Sequence, residues 1–599
     1  MKEKNPLVFL FGMMWRFSEG NRRNVIICWS LCLIAQLIEL FCPPLIAAKM
    51  MDVIQRQGIN PESTQTLIEL LGLMVVVEGL FWVFHGPARV LEGKNAFTVR
   101  KNYRYFLLKG VMSLPMEWHV DHHTGDTIDK IEKGTSALYD FSEGTFEIIY
   151  AIVRLIGSFI MLAYFSMMAA GVALVVMMIN VLITMRFDQV LVEQYRDLSR
   201  AENIVAKSAN DAISNIRTVI TLRVERLVFK AIMNKVEKPY PLFKRSNYLN
   251  EWKWCSTSQF CKIMIVVSLY VYFTQHSNTA AGILVSSVFL LVNYLDKLGD
   301  LFFRFAYMYN NVIRRSAKVG NAEELSKDFI ACTFTNHVLP PNWDTLSIEN
   351  LNFSYSQKEE TIHLNDINVT MRKGEVIALI GPSAAGKSTL LHMIRSLYKP
   401  HSLTLRVDGK DIEHGFEGIC QAISLVPQDP EIFATTIREN ITMGAEHSDE
   451  MITHFTDMAC ITKEMRDLPK GLESSISEKG VNLSGGQKQR LGLARGLLAS
   501  HDKDIVLLDE PTSSLDPKNS MEIYNNILTA FSGKTIISTV HQMQLLPLFD
   551  RIIVLDNGQV AAQGTIKELL SDCPEFRVLW EESHLQQKEK EVAEYITIN

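Results

Sequence analysis

The first half of the chain alternates between long apolar stretches and polar, mostly basic connections. An α-helix needs about 20 apolar residues to cross the roughly 30 Å of hydrocarbon in a bilayer, and six stretches approach or reach that length. We therefore predict an all-α, six-helix transmembrane domain over residues 1–320. Its spans lie at about 25–48, 66–86, 148–165, 167–185, 255–273 and 282–308.

The last two spans are the least apolar. The fifth is strongly apolar only over 263–273. The sixth is interrupted by charges at Asp296, Lys297, Asp300 and Arg304. The charges of the earlier spans are Glu39, Glu69, Glu78 and Arg154. Because charges in hydrocarbon are costly unless they pair or face the bundle interior, we expect structural Glu–Arg pairing. The alternative is a partly acidic cavity that binds amphipathic cations.

The connections between the spans differ in charge. Those at 89–109 and 196–245 are rich in Lys and Arg, whereas 274–281 carries no charge. Because basic loops stay on the cytoplasmic side of a membrane, both termini are predicted to be cytoplasmic. The stretches Lys94–Met112 and Asp188–Lys238 contain no proline and are rich in helix formers, which predicts helices that extend the spans beyond the lipid.

The texture of the sequence changes after residue 320. A polar linker is predicted at 321–344, and it ends shortly after Pro340 and Pro341. From 345 to 599, apolar strands such as EVIALI and DIVLL alternate with helical stretches. This alternation predicts an α/β domain of the P-loop NTPase type, so the chain is expected to be multidomain.

The sequence GPSAAGKST directly follows the strand EVIALI and precedes the helical LLHMIRSLY. It matches GxxxxGK[ST], in which backbone N–H groups of a glycine-bearing loop and a helix N-terminus close around phosphates. The residues expected to bind ATP here are Gly381, Pro382, Ser383, Ala384, Ala385, Gly386, Lys387, Ser388 and Thr389. Lys387 would neutralise the β- and γ-phosphates, and Ser388 would ligate Mg²⁺.

A second apolar strand, IVLLDE, ends in Asp509 and Glu510. Beside a phosphate loop, the first carboxylate suits a magnesium ligand and the second suits a general base for water. Alone, such a pair would be weak evidence, since a DE pair after a strand is usually a helix cap. Between the two motifs, however, lies LSGGQKQR at residues 483–490.

Together these motifs resemble the ATP-binding cassette (ABC) transporters, specifically the exporter-type half-transporters that fuse six spans to one nucleotide-binding domain. The resemblance covers essentially the whole chain. It implies that Tyr355 stacks on adenine, that Gln428 touches Mg²⁺, and that His541 contacts the γ-phosphate. The residues implied to contact ATP bound by the opposite subunit are Ser484, Gly485, Gly486, Gln487 and Asp516. Glu510 and His541 would be the catalytic residues.

The resemblance extends to the membrane half and to the assembly. Residues 117–134 and 211–225 resemble the family's two coupling loops, and Glu478 and Gly480 resemble a loop that meets the partner's coupling helices. Because the site residues are retained, a homodimer is expected, although a related half-transporter could be the partner. The implied cofactors are ATP and Mg²⁺, the latter held by Ser388, Gln428 and Asp509. One departure is Gln542, which stands where arginine is frequent.

Composition narrows the function further. Lys and Arg total 60 against 66 Asp and Glu, so the net charge of -6 gives no argument for nucleic-acid binding. The nine cysteines lack a CxxC pair and are expected to be reduced and buried. A cluster of His119, His122 and His123 allows a metal hypothesis, but solvated loop histidines are favoured.

The preferred function is ATP-driven export of an amphipathic, lipid-like, drug-like or peptide cargo across a bacterial inner membrane. The alternatives are an importer of siderophore-like cargo on the same fold, an ATP-gated channel, and a regulatory membrane ATPase.

Overall fold

The computed structural model describes residues 5–276, 284–329, 339–355, 363–476, 483–574, 576–578 and 580–581, without the side chains of residues 302, 306 and 310. The chain forms two compact units. The first comprises Met1–Ser113 and His123–Ile330, and the second comprises Leu114–His122 and Ala331–Asn599. The short segment Leu114–His122 therefore belongs to the same unit as the C-terminal part of the chain.

The part before residue 330 is almost entirely helical. Its helices are α1 (Pro6–Phe17), α2 (Arg22–Gln57), α3 (Pro61–Met112), α4 (Met116–Asp121), α5 (Thr124–Glu143), α6 (Thr145–Phe165), α7 (Met167–Ser214), α8 (Ile216–Thr221), α9 (Glu225–Glu237), α10 (Tyr240–His276) and α11 (Val285–Leu325). Side-chain caps set two of the helix starts. Asn60 Oδ1 accepts from the Ser63 N–H at 2.8 Å before α3, and Ser166 Oγ accepts from the Ala169 N–H at 3.2 Å before α7.

The prediction of a helical membrane domain is confirmed, but the count of six spans is not fully matched. Five candidates among the described residues are long and apolar enough to cross a membrane: Arg22–Gln57, Pro61–Met112, Thr145–Phe165, Met167–Ser214 and Glu225–His276, which contains α9 and α10. The sixth predicted span falls largely in α11, which is not among them. Its run of apolar residues is interrupted by Asp296, Lys297, Asp300 and Arg304.

Helix α2 contains two adjacent prolines, Pro43 and Pro44. Proline has no N–H, so the carbonyls of Glu39 and Leu40 lose their helical donors. The Lys297 ammonium on α11 supplies one replacement, since its Nζ donates to the Leu40 carbonyl at 3.1 Å. A carbonyl that lacks its helical donor within the continuous helix α2 is thus hydrogen-bonded by a cation from another helix.

The charges of the earlier spans pair only in part. Arg154 Nη2 on α6 donates to Glu39 Oε1 on α2 at 2.8 Å, which is the expected Glu–Arg pair. Glu78 instead accepts from Trp82 Nε1 at 3.0 Å within α3. Glu39 is therefore neutralised by a direct partner, which weakens the alternative of an acidic cavity.

The second unit contains two sheets and short helices. Its strands are β1 (Thr345–Phe353), β2 (Leu364–Arg372), β3 (Val376–Ile380), β4 (Ser402–Val407), β5 (Lys410–Asp411), β6 (Ile423–Val426), β7 (Ile505–Leu508), β8 (Thr535–Thr539), β9 (Arg551–Asp556) and β10 (Gln559–Gly564). Its further helices are α12 (Lys387–Ile394), α13 (Ile437–Thr442), α14 (Asp449–Met458), α15 (Thr462–Arg466), α16 (Gly485–Ala499), α17 (Pro517–Ala530) and α18 (Ile566–Asp572), with 3₁₀ helices at Gly415–Ala422, Gly471–Glu473 and Met543–Leu548. The fold class predicted for this half is confirmed.

The larger sheet brings four loops to one edge. Its order is β10-β9-β3-β8-β7-β6, and all neighbours except β10 and β9 are parallel. In register, Leu379 lies beside Thr539, and Leu508 lies beside both Ser538 and Val426. Because these four strands end together, the segments after β3, β8, β7 and β6 converge at their carboxyl ends, where α/β sheets bind ligands.

The cysteine prediction is wrong in one respect. The eight cysteines that the structure describes are free thiols, but Cys255 on α10 is exposed, and Cys42, Cys420 and Cys460 are only partly buried. The absence of short cysteine spacings indicated the free state, whereas exposure depends on which face of a helix meets a neighbour. The sequence alone did not fix that face.

Candidate nucleotide-binding site

The loop after β3 has the shape that phosphate binding requires. At Gly381, φ is +145°, and a Cβ there would lie 2.1 Å from the carbonyl oxygen of Leu555, so a side chain cannot be accommodated. Gly386 caps α12 with φ of +98°, and Ala384 also has positive φ. The loop therefore leads tightly into the N-terminus of α12, whose free N–H groups favour an anion.

Lys387 is the most deeply buried cation of this loop, with 6% of its surface exposed. Its Nζ donates to the loop carbonyls of Gly381 at 3.0 Å and Pro382 at 2.9 Å. Burial lowers the pKa of the Lys387 ammonium, and the nearby Glu510 and Asp509 carboxylates oppose that shift in part. The ammonium thus rests on neutral acceptors, which a phosphate could replace with a stronger ionic partner.

Hydroxyl groups fix the carboxylate of Asp509, which is 4% exposed. Ser388 Oγ donates to Asp509 Oδ1 at 3.0 Å, and Thr539 Oγ1 donates to the same oxygen at 2.9 Å. The Thr539 oxygen also accepts from the Glu510 N–H at 2.7 Å. These contacts join the ends of β7 and β8 to the start of α12. They also place the Ser388 hydroxyl oxygen beside an Asp509 carboxylate oxygen, and Mg²⁺ prefers hard oxygen ligands of this kind.

Glu510 is held from several sides. Gln428 Nε2 donates to Glu510 Oε2 at 2.8 Å, and His541 Nε2 lies 2.6 Å from Glu510 Oε1. Its backbone has φ of +45°, a rare conformation for a residue other than glycine. Gln489 Nε2 donates to the Glu510 carbonyl at 3.3 Å and to Ser513 Oγ at 2.9 Å, which supports this turn from α16.

A cleft of about 480 Å³ opens over these groups, a size that suits a small ligand. The residues lining it are His363, Ser383, Ala384, Ala385, Gly386, Lys387, Ser388, Thr389, Gln428, Glu510 and His541. Most of the predicted ATP-binding residues thus share one cavity. Asp509 lies behind Ser388, and Gly381 and Pro382 form the start of the loop.

Tyr355 lies two residues after the end of β1, near the same loop. Its hydroxyl donates to Thr389 Oγ1 at 3.3 Å, and its ring makes edge contacts with Phe353, His363 and Tyr398 at centroid distances of 4.9 to 5.1 Å. The side chain is 47% exposed. It therefore presents an aromatic surface beside the phosphate loop rather than serving as a core tyrosine.

The signature residues cap α16. Ser484 Oγ accepts from the Gln487 N–H at 3.3 Å, and Gln487 Oε1 accepts from the Ser484 N–H at 2.9 Å, which is a capping box. Asp516 caps α17, and hydrogen bonds from the N–H groups of Asn519 and Lys518 contribute to lowering the pKa of its carboxyl. None of these residues lines the described cleft.

Two residues of the site were missed by sequence reasoning. Thr539 and Gln489 position the two acidic residues but carry no motif of their own. The position of Thr539 at the last residue of a buried strand, two residues before His541, was the available signal. Glu478 and Gly480, by contrast, lie outside the described residues.

Helix α4, in the first predicted coupling loop, belongs to the second unit, which contains the nucleotide site. Glu117 Oε1 accepts from the Lys399 N–H at 3.1 Å. The histidine cluster next to it forms no metal site: His122 stacks on Trp118 at 4.1 Å, and no group of three ligating side chains occurs in the described part of the chain. The second loop contains α8, between helix breaks at Asn215 and Leu222.

Two family models match the chain. The model of the ABC transporter transmembrane region matches residues 25–295, and the model described as ABC transporter matches residues 364–513. The chain therefore belongs to the ABC transporters and fuses a membrane region to an ATP-binding region, as the resemblance predicted. It is an integral membrane protein of a class in which ATP hydrolysis drives transport.

The chain is also similar to particular relatives and to a solved structure. The chain is 27% identical over 509 residues to heavy metal tolerance factor 1 of Caenorhabditis elegans, covering 81% of this chain and 61% of that protein. It is 25% identical to a multidrug resistance ABC transporter ATP-binding and permease protein of Lactococcus lactis, covering 81% and 82%. The structure of a bacterial Atm1-family ABC exporter with ATP bound shares the fold, with a TM-score of 0.80, 21% identity, and coverage of 94% and 99%.

Proposed function

We propose that this chain is one half of an ATP-driven exporter that works as a dimer of two copies. The observation that carries the proposal is the placement of Lys387, Gln428, Glu510 and His541 around one cleft at the carboxyl ends of parallel strands. The assembly would move an amphipathic, lipid-like, drug-like or peptide cargo by alternating access. Hydrolysis of ATP would drive the cycle.

Glu510 is the proposed general base for the attacking water. A carboxylate with one oxygen bonded to Gln428 and the other beside His541 is fixed in direction, so it would meet water without reorganising. His541 is 52% exposed and lies at the mouth of the cleft, where its ring could contact the γ-phosphate. Lys387 would leave the loop carbonyls and bind the β- and γ-phosphates.

Ser388 and Asp509 are the proposed magnesium ligands, with Gln428 as a third contact. Their oxygens suit a hard cation, and the two hydroxyl donors on Asp509 orient its carboxylate. The metal would neutralise charge on the phosphates. Tyr355 would stack on adenine, since its ring is exposed beside the phosphate loop.

The dimer is proposed because the signature residues do not line the nucleotide cleft described above. Ser484, Gly485, Gly486 and Gln487 form a helix N-terminus, which favours anions, yet they do not line the described cleft. A second copy would bring this helix end and Asp516 to the γ-phosphate of the first. Two identical chains would then form two complete sites.

The proposed location is a bacterial inner membrane, with the termini and the ATP site in the cytoplasm. The basic connections between the spans support that orientation. Proteoliposomes with outward ATP sites would test the function. Fluorescent amphipathic probes of either charge are supplied, and at least one of them should accumulate inside only with ATP. Glu510→Gln should abolish that accumulation. Release of preloaded probe instead would indicate import, and ion conductance without ATP turnover would indicate a channel.

A further inference from the structure

Three cations of the first unit lie near the contacts among α2, α6 and α11. The guanidinium carbons of Arg154 and Arg304 lie 4.1 Å and 4.7 Å from the centroid of the same ring, that of Tyr150. The third cation is Lys297 on α11, whose ammonium is held by its hydrogen bond to the Leu40 carbonyl. We call Arg154, Lys297 and Arg304 the cationic cluster.

The acidic residues nearby neutralise only part of this cluster. Glu39 pairs with Arg154, and Asp296 pairs with Lys262 at 3.5 Å on the exposed side of the bundle. Asp300 lies one helical turn before Arg304, but the two do not approach within the 4.0 Å of an ion pair. In the described part of the chain, Lys297 and Arg304 thus have no carboxylate partner at ion-pair distance.

Lys297 and Arg304 lie in the sixth span predicted from the sequence, where uncompensated cations are costly if they face lipid and are tolerated where they face a polar cavity or a counter-ion. The tyrosine ring holds Arg304 without consuming its N–H donors, and the carbonyl freed by Pro44 fixes Lys297. Both cations are therefore positioned but leave donors free. Positioned guanidinium and ammonium groups are suited to carboxylate and phosphate oxygens.

Partly buried apolar side chains lie close in sequence to these groups on α11 and α2. Phe305 and Met308 follow Arg304 on α11 and pack against the bundle core, as does Phe41 on α2. We propose that Lys297 and Arg304 bind the carboxylate or phosphate head of an amphipathic anion, whose apolar body lies against these side chains. This inference rests on the proposed transport function and assigns it an anionic cargo class.

The test is equilibrium binding to the full chain in nanodiscs, without ATP, with empty nanodiscs subtracted. The probe is dansylaminoundecanoic acid, whose fluorescence reports an apolar environment, and dansylcadaverine is the cationic counterpart. Arg304→Gln should weaken binding of the acid by at least about tenfold, because a charge-assisted contact is lost. Arg304→Lys keeps the charge and should retain most of the affinity. Lys262→Gln removes a cation from exposed α10 and should change nothing.

Displacement by decanoate and by decyl phosphate then separates the two head groups. Preferential displacement by either supports the inference and names the head, whereas equal displacement by decyltrimethylammonium overturns it. Unchanged affinity in a folded Arg304→Gln variant, judged by its ATP-induced thermal shift, also overturns it. ATPase activity of the same nanodiscs is measured in parallel. A wild-type chain that hydrolyses ATP but binds no anion contradicts only the cargo class, whereas absent hydrolysis contradicts the proposed function.

Discussion

The imidazole Nε2 of His541 lies 2.6 Å from Oε1 of Glu510, while Gln428 occupies the other oxygen of the same carboxylate. Both oxygens are thus directed before any nucleotide contact is made. Local restraint also comes from the Glu510 backbone, whose N–H is bonded to Thr539. This arrangement makes the site sensitive to single changes of hydrogen-bonding capacity.

Glu510→Gln should lower the ATPase rate by about 10²- to 10⁴-fold, because an amide cannot accept the proton of the attacking water. ATP binding should persist, since the phosphate loop is unchanged. Phosphate release in nanodiscs measures the rate, and the ATP-induced rise in melting temperature measures binding. The matched control is Glu417→Gln, an exposed carboxylate on a 3₁₀ helix. A wild-type rate in Glu510→Gln would remove the general base from the proposal.

Lys387→Met should abolish the stabilisation by ATP without lowering the stability of the chain in the absence of ATP. Replacing a buried ammonium with an apolar chain of similar length removes a desolvated charge, so the melting temperature without ATP should stay constant or rise. The gain from ATP, about 2.7 kcal/mol at 100 times Kd for the wild type, should disappear. The exposed Lys410→Met serves as the control. A retained ATP-induced shift would contradict the role of Lys387.

Thr539→Val should impair the nucleotide site, although it substitutes none of the residues that the sequence motifs identified. The valine has the shape of threonine but neither donates to Asp509 nor accepts from the Glu510 N–H. An unsatisfied buried N–H costs about 1–3 kcal/mol, so the unfolding temperature should fall. The Mg²⁺ concentration for half-maximal ATPase should rise because Asp509 loses an orienting bond. Thr539→Ser should restore both properties, and its failure to do so would indicate a packing effect instead.

The dimer can be tested with two glycines. A Cβ on Gly485 would meet nothing within 4 Å in its own chain, whereas one on Gly381 would clash with Leu555. Gly381→Ala should therefore destabilise the chain, while Gly485→Ala should leave melting unchanged and lower the ATPase rate. A mixed dimer of Lys387→Met and Ser484→Arg chains retains one complete site and should regain activity that neither homodimer has. No recovery in a purified mixed dimer would contradict shared sites.

His392 on α12, the helix that follows the phosphate loop, is expected to make the stability of this unit fall in acid. Burial lowers the pKa of this imidazole below its usual 6.5, and the Asp509 carboxylate opposes the shift in part. The folded state therefore disfavours the protonated form, so this contribution to stability is complete above pH 6.5 and declines as the pH falls below it. His392→Leu should flatten the melting temperature between pH 6.5 and 5 relative to the wild type. The exposed His454→Gln should not.

Much of the nucleotide site could be predicted because its parts are local. The phosphate loop and the strand that ends in Asp509 and Glu510 each follow from a short run of sequence. The cap that Ser484 forms on α16 was not predicted, since the resemblance implied only a contact with nucleotide. The convergence of Gln428 and His541 on Glu510 required the order of parallel strands, which no local pattern encodes. Thr539 was missed for the same reason, since its partners lie on a neighbouring strand.

Less of the structure of the membrane half could be predicted from the sequence. Five spans followed from apolar length, but the sixth was obscured by charges whose partners are tertiary. The contact between Lys297 and the Leu40 carbonyl could not be predicted from the sequence. Pro44 has no N–H, so the sequence indicated only that the Leu40 carbonyl would lack its helical donor. The pairing of Glu39 with Arg154 was expected on grounds of cost alone, because electrostatics constrains partners more tightly than hydropathy does.

The segment Leu114–His122 belongs to a unit whose other residues begin at Ala331. During synthesis it leaves the ribosome roughly 200 residues before its structural neighbours, a delay of about 10–40 s at 5–20 residues per second. Until then its exposed surface, including Trp118 and Glu117, has no docking place. Biogenesis of this chain is therefore expected to depend on keeping this early loop from aggregating until residues 331–599 have been made.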